Sequence, residues 1–146
     1  KKNNMRVRVI GDQSGLSEAI QRDIAQLEEA TKTYDGLNFT IALNYGGRDE
    51  LTRAIKNIAR SVKDGEISPE EITEERISAA LDTAGLPDPD LMIRTSYELR
   101  ISNYLLWQLA YSEFYFTEVP WPDFDEEELQ KAVEAYRQRD RRFGMV

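Results

Sequence analysis

Arg94 and Arg100 flank a stretch that also carries Thr95, Ser96 and, just beyond it, Ser102. A guanidinium presents a planar fork of donors matched to phosphate or carboxylate oxygens, so two forks beside several hydroxyls could surround a doubly charged phosphate. Each charge-assisted bond of that kind contributes about 1.5–3 kcal/mol net. The same arginines could instead pair with the chain's own acids, of which there are 27, and spacing alone leaves both readings open. Ser102, followed by Asn103, is also a helix N-cap type, and the expectation is that it both caps and binds. Glu113, at the head of a β-prone stretch, reads either as a ligand for a divalent cation or as a plain surface glutamate. Gly46-Gly47 permits close backbone approach to a ligand and serves a tight turn equally well. Arg141-Arg142-Phe143-Gly144 follows a helical stretch and could simply complement that helix's C-terminal dipole.

The residues that are missing narrow the chemistry further. The chain has neither Cys nor His, which removes disulfides, thiolate nucleophiles, imidazole bases and ordinary zinc sites. A metal would have to sit on oxygen, which favours Mg²⁺, Mn²⁺ or Ca²⁺, with Mg²⁺ the usual choice where substrate phosphates complete the shell. A net charge of −8 argues against a general nucleic-acid binder, which needs a basic face to release counterions. An anionic small ligand is still accommodated by local arginine clusters, one around Arg94 and Arg100 and one between positions 137 and 142. No signal peptide and no apolar run near the ~18 residues of a membrane span is evident. A cytoplasmic protein is expected.

The elements that must position these residues follow from periodicity. Alternation from Arg6 to Ile10, stopped by Gly11-Asp12, reads as a strand. Leu16, Ile20, Ile24, Leu27 and Tyr34 recur at helical spacing. Leu37 to Leu43 is β-prone and runs into Asn44-Tyr45-Gly46-Gly47-Arg48, after which Leu51, Ala54, Ile55, Ile58, Ala59 and Val62 restore the helical period up to Gly65. Ser68-Pro69-Glu70-Glu71 has capping-box character, and Thr73 opens a short helix through Leu81. Leu91-Met92-Ile93 reads as a strand, Tyr104 to Tyr111 as a buried helix, Glu113 to Thr117 as a strand, and Asp125 with Glu128 caps a last helix carrying Leu129, Ala132, Val133 and Tyr136. Trp107 and Trp121 read as packing residues, with lipid contact a second role for Trp121. Strands alternating with helices predict an α/β fold, a parallel sheet with helices on both faces, in one domain over residues 1–146. In such sheets ligands gather at the carboxyl ends of the strands, so residues 44–48, residues 94–102 and Glu113 are expected to converge on one pocket.

The order of these motifs resembles one family closely. Asp90-Leu91-Met92-Ile93-Arg94-Thr95-Ser96, then Glu98-Leu99-Arg100-Ile101-Ser102-Asn103-Tyr104-Leu105-Leu106-Trp107-Gln108, is similar to the most diagnostic segment of the undecaprenyl diphosphate synthase (cis-prenyltransferase) family. Ala110-Tyr111-Ser112-Glu113, Phe116-Thr117, Trp121-Pro122-Asp123-Phe124, the earlier Asn44-Tyr45-Gly46-Gly47-Arg48 and the final Arg142-Phe143-Gly144 continue the likeness in family order. The resemblance implies a transferase that adds isopentenyl diphosphate to an allylic prenyl diphosphate, giving a cis-polyprenyl diphosphate with Mg²⁺ as cofactor. Arg94, Arg100 and Ser102 would hold the isopentenyl diphosphate, and Glu113 would help place the metal. Arg142 and Gly144 belong to a tail that reaches the partner's diphosphate site, which implies a homodimer. The product would associate with the membrane, the enzyme being cytoplasmic or peripheral to it.

Two departures qualify the likeness. The family opens with a strand ending in Asp-Gly-Asn, whose aspartate is the main catalytic residue. Nothing here matches it, so the catalytic residue is unassigned and the chain is expected to be a fragment of a larger catalytic domain, with the family's first strands absent. The family also has glycine where Tyr97 stands, and Tyr adds a side chain that either crowds the diphosphate or points outward in an ordinary conformation. The alternatives are a non-catalytic partner subunit of a heteromeric cis-prenyltransferase, and an unrelated phosphate-binding α/β protein.

Overall fold

The computed structural model describes residues 4–139. It is a mixed α/β fold with parallel strands, and it falls into two compact units that meet in sequence between Gly85 and Leu86. Each unit holds one parallel strand pair.

In the first unit β1 (Met5–Ile10) pairs with β2 (Leu37–Ala42) from Met5↔Leu37 to Ile10↔Ala42. Parallel neighbours need a long crossover, and α1 (Glu18–Thr31) supplies it. The Ser17 side chain caps α1 by accepting from the Ile20 N–H, and Ile24 is its buried residue. Two polar side chains of α1 also serve β1: the Val7 N–H donates to Thr31 Oγ1 at 3.1 Å and the Val9 N–H to Glu28 Oε1 at 2.7 Å. These bonds satisfy backbone donors that the β2 ladder does not reach. Along β2 the alternation puts Leu37, Phe39 and Ile41 on one side, and all three are exposed.

After β2, α2 (Gly47–Lys63) buries Gly47, Glu50, Ala54 and Ile58, one stripe at helical spacing. Its end is a Schellman motif: the Glu66 N–H donates to Ser61 O at 2.9 Å and the Gly65 N–H to Val62 O at 3.1 Å, with Gly65 left-handed at φ +74°. The Ser68 capping box closes a single 3-10 turn, Pro69–Glu71, and Thr73 caps α3 (Glu74–Ala80), matching the expected short helix.

In the second unit β3 (Leu91–Arg94) pairs with β4 (Glu113–Phe116), with Leu91 opposite Glu113 and Arg94 opposite Phe116. The last helix, α4 (Glu126–Arg137), begins at Asp125, whose side chain accepts the Glu128 N–H at 3.1 Å, and its Ala132 is wholly buried. Trp121 is not a core residue. It is 73% exposed, stacks on Phe124 and borders an open groove of about 590 Å³ with Leu91, Ile93 and Leu129.

The helix expected from Tyr104 to Tyr111 does not form. Residues 101–111 make a succession of turns, in which the Leu109 N–H to Leu105 O bond is of helical type and those of Tyr104, Ala110 and Ser112 reach back only three residues. The cause is local: Ser102, Asn103 and Leu105 have φ of +47°, +63° and +44°, and a left-handed residue cannot propagate a right-handed helix. Serine and asparagine tolerate that conformation because their side chains bond to nearby backbone, a preference the apolar periodicity of the segment conceals.

Candidate functional site

Arg94 ends β3, and its carbonyl accepts the Thr117 N–H at 2.9 Å. Beyond it the Ser96 N–H donates to Val119 O at 3.1 Å and the Tyr97 N–H to Thr117 O at 3.2 Å, so the loop stays tied to the segment after β4. Ser96 and Tyr97 are both left-handed, at φ +64° and +58°, and this turn brings Glu98 back over the strand end. Arg100 Nη2 lies 2.8 Å from Glu98 Oε1 and 2.7 Å from Oε2, and Arg94 Nη2 lies 3.7 Å from that same Oε2. The two sequence-selected arginines thus converge on one carboxylate. The Glu98 side chain is 35% exposed and that of Arg100 71%, so the cluster sits at the surface within reach of a dissolved anion. Of the two sequence readings the structure shows the second: both arginines pair with an acid of the chain, and they do so side by side on Glu98.

Ser102 lies two positions past Arg100, exposed and left-handed, and with no helix behind it the expected capping role is absent. Tyr97 does occupy the left-handed conformation that favours glycine, contrary to an ordinary backbone. Its side chain is nevertheless 70% exposed, and its hydroxyl donates to Glu118 Oε2 at 2.9 Å, which raises its pKa.

Glu113 sits elsewhere on the strand pair. As the first residue of β4, opposite Leu91, it is at the amino end and not the expected carboxyl end, three registers or roughly 10 Å along the strand from Arg94. Its Oε2 accepts from Arg139 Nη1 at 2.5 Å. Among the described residues no group of three or more Asp or Glu is placed to hold a metal ion. Arg142 and Gly144 lie outside the described residues.

The 44–48 turn belongs to the first unit and is built differently. Asn44, at φ +49°, donates from Nδ2 to Asp12 O at 2.8 Å, and the Asp12 N–H donates to Asn44 O at 3.2 Å. Gly11 has φ +115°, and a Cβ there would lie 2.1 Å from Leu43 O, so only glycine lets the ends of β1 and β2 approach so closely. Gly46 and Gly47 lead directly into α2.

Behind the turn lies a polar network that sequence reasoning did not find. Glu50, 1% exposed, accepts the Tyr45 hydroxyl at 2.6 Å and the Asp82 N–H at 2.9 Å. Arg53 donates Nη1 and Nη2 to the two Asp82 oxygens, each at 2.8 Å, and Nε to Asp49 at 2.8 Å. Asp82 Oδ2 also accepts the Gly11 N–H at 3.1 Å. The Arg53 fork holds the Asp82 carboxyl below its ordinary pKa, and Asp82 in turn raises that of Arg53. One signal of this was readable: Glu50 stands four residues before Ala54 and eight before Ile58, on the apolar stripe of α2, where an acid needs dedicated partners.

The family model for undecaprenyl diphosphate synthase (Prenyltransf) matches residues 1–144. The chain belongs to this family. It is 52% identical over 145 residues to an isoprenyl transferase of Brucella abortus biovar 1 (strain 9-941), covering 99% of this chain and 57% of that protein. It is 53% identical over 143 residues to an isoprenyl transferase of Agrobacterium fabrum (strain C58 / ATCC 33970), covering 98% and 58%. The chain therefore spans less than three-fifths of the length of these relatives. Its fold superposes with a TM-score of 0.95 on the crystal structure of lavandulyl diphosphate synthase from Lavandula x intermedia in complex with dimethylallyl diphosphate, at 39% identity over 99% of this chain and 62% of that one. This family's fold is the α/β architecture that strand and helix alternation predicts.

Proposed function

We propose that the protein is an Mg²⁺-dependent cis-prenyltransferase, which condenses isopentenyl diphosphate with an allylic prenyl diphosphate to give a cis-polyprenyl diphosphate of the undecaprenyl type. The observation that carries this reading is the convergence of Arg94 and Arg100 on one carboxylate, an anion-holding arrangement at the carboxyl end of a parallel strand. Family membership supports it, as does the likeness to a relative solved with an allylic diphosphate.

In this reading Arg94 and Arg100 donate to the oxygens of the isopentenyl diphosphate, and the Ser102 hydroxyl adds a neutral donor. The double bond of that five-carbon unit then attacks the allylic carbon as the allylic diphosphate leaves, and loss of a proton creates the cis double bond. Fixing the nucleophile by its diphosphate lowers the barrier through orientation. Glu113 is the carboxylate that the family resemblance offers to Mg²⁺, although it stands at the amino end of β4, three registers from Arg94, and not beside the arginines that would hold the diphosphate. The Arg139 guanidinium already balances that carboxylate with a positive charge, as a metal would. When bound, Mg²⁺ neutralises charge growing on the departing diphosphate. Arg142 and Gly144 are assigned to the partner's site in a homodimer. The enzyme is assigned to the cytoplasm or the membrane periphery, its product entering the membrane; among the described residues no helix is long and apolar enough to cross a membrane.

The test supplies the full-length protein with radiolabelled isopentenyl diphosphate and farnesyl diphosphate. Label is expected in long-chain product with Mg²⁺ and not without it. No incorporation with the metal present, or incorporation unaffected by Arg94→Ala and Arg100→Ala, would overturn the reading. A protein inactive alone that stimulates a catalytic subunit would be the non-catalytic partner instead.

A further inference from the structure

Glu98 has no role in the reaction just described, yet it occupies the point on which both arginines converge. Its two oxygens lie 2.7 and 2.8 Å from Arg100 Nη2, and one of them reaches Arg94 Nη2 at 3.7 Å. We propose that Glu98 is a placeholder anion: it sits between the two guanidinium groups, and an incoming diphosphate must displace it to bind. The inference rests on the reading that Arg94 and Arg100 hold the substrate diphosphate.

Three observations support displacement over a fixed structural role. First, the cluster is at the surface, with the Arg100 side chain 71% exposed, and exposed ion pairs are weak enough to exchange partners. Second, the Glu98 backbone is held lightly: its N–H reaches Thr95 O at 3.4 Å, the longest of the loop's backbone bonds. Third, Ser96 and Tyr97 before it and Ser102, Asn103 and Leu105 after it are all left-handed, a conformation that costs non-glycine residues energy, so the segment stores strain that a rearrangement around Glu98 can release.

A tethered carboxylate competes with every dissolved anion at a high effective concentration. A singly charged anion offers the arginines nothing that Glu98 does not already provide. A diphosphate brings more charge and more acceptor oxygens, so it displaces the carboxylate at an affinity reduced by the fraction of time the site is closed. Glu98 is therefore specificity-determining, keeping the two arginines together and screened from lesser anions until substrate arrives.

Inorganic pyrophosphate is the probe, titrated calorimetrically into the full-length protein. Glu98→Gln keeps the length of the side chain and removes its charge, and it is expected to tighten pyrophosphate binding about two- to fivefold, the range set by an exposed ion pair. Glu98→Ala should tighten it in the same direction. The gain should vanish when Arg100→Ala is added, because the placeholder acts only through the arginines. Unchanged or weaker binding in both Glu98 variants, or a gain that persists without Arg100, would overturn the placeholder while arginine-dependent binding leaves the diphosphate reading intact. A wild-type protein that binds no pyrophosphate would overturn both.

Discussion

The 44–48 turn and the 94–102 loop both follow a parallel strand, both are polar, and both use left-handed residues, but their side chains are held in opposite ways. Behind the turn, Glu50 is 1% exposed, and Asp82 accepts the Arg53 fork at 2.8 Å and the Gly11 N–H at 3.1 Å while its own N–H donates to Glu50 at 2.9 Å. In the loop, Arg100 is 71% exposed and its partner Glu98 hangs from a 3.4 Å backbone contact. Burial raises the strength of a hydrogen bond and the penalty for losing it together, so the first arrangement is a fixed frame. Water weakens both, so the second can exchange partners. Polar residues at strand ends therefore serve rigidity or exchange according to their solvent, and composition alone does not separate the two.

The sharpest way to break this comparison is Glu50→Ala. It removes the acceptor that Glu50 gives the Tyr45 hydroxyl and the Asp82 N–H inside the first unit and is expected to destabilise the protein by about 3 kcal/mol, measured by urea unfolding. A loss under about 1 kcal/mol would mean the frame is not rigid. Arg94→Ala should act on function instead: kcat/KM for isopentenyl diphosphate falls by roughly ten- to a hundredfold, the loss of one charge-assisted contact, while stability moves by less than about 0.5 kcal/mol.

Protonation tests the frame from another side. Asp82 has a folded pKa below its ordinary 3.8, so its contribution to stability is complete above that pH and is lost as pH falls through the lowered folded value. Acid unfolding curves should flatten in that window for Asp82→Asn, and an identical pH dependence in the variant would remove Asp82 from the network. The smallest effect is expected at Tyr97. Replacing it with Gly relieves the left-handed cost and gives up only an exposed bond to Glu118, for a net gain of about 0.5 kcal/mol. Turnover should change by less than about twofold, since the ring lies out in solvent; a large rise would mean that it crowds the diphosphate.

Much of the fold was legible because the signals are local. The Ile20, Ile24, Leu27 spacing marks α1, the Leu51 to Val62 pattern marks α2, and Gly65 ends it, all within a turn or two of the residues concerned. The pairing of Arg94 and Arg100 was likewise visible as spacing. The run from Tyr104 to Tyr111 misled because apolar periodicity is blind to the φ angles of Ser102, Asn103 and Leu105 just before and within it. Glu113 was rightly read as the head of its strand but wrongly expected at the carboxyl rim, since in this parallel pair the first residue of one strand lies beside the first residue of the other, here Leu91. The frame around Asp82 was hidden for a plainer reason: its bonds to Gly11 and Arg53 span 71 and 29 residues, and no local pattern encodes them.

The bend that ends α2 has a practical consequence. A Cβ placed on Gly65 would meet no atom within 4 Å, and the neighbouring Glu66 is exposed and uses only its backbone to close the bend. Because these 146 residues contain no cysteine, Glu66→Cys would give the chain a single thiol, to which a fluorophore or spin label could be attached without disturbing any packed side chain.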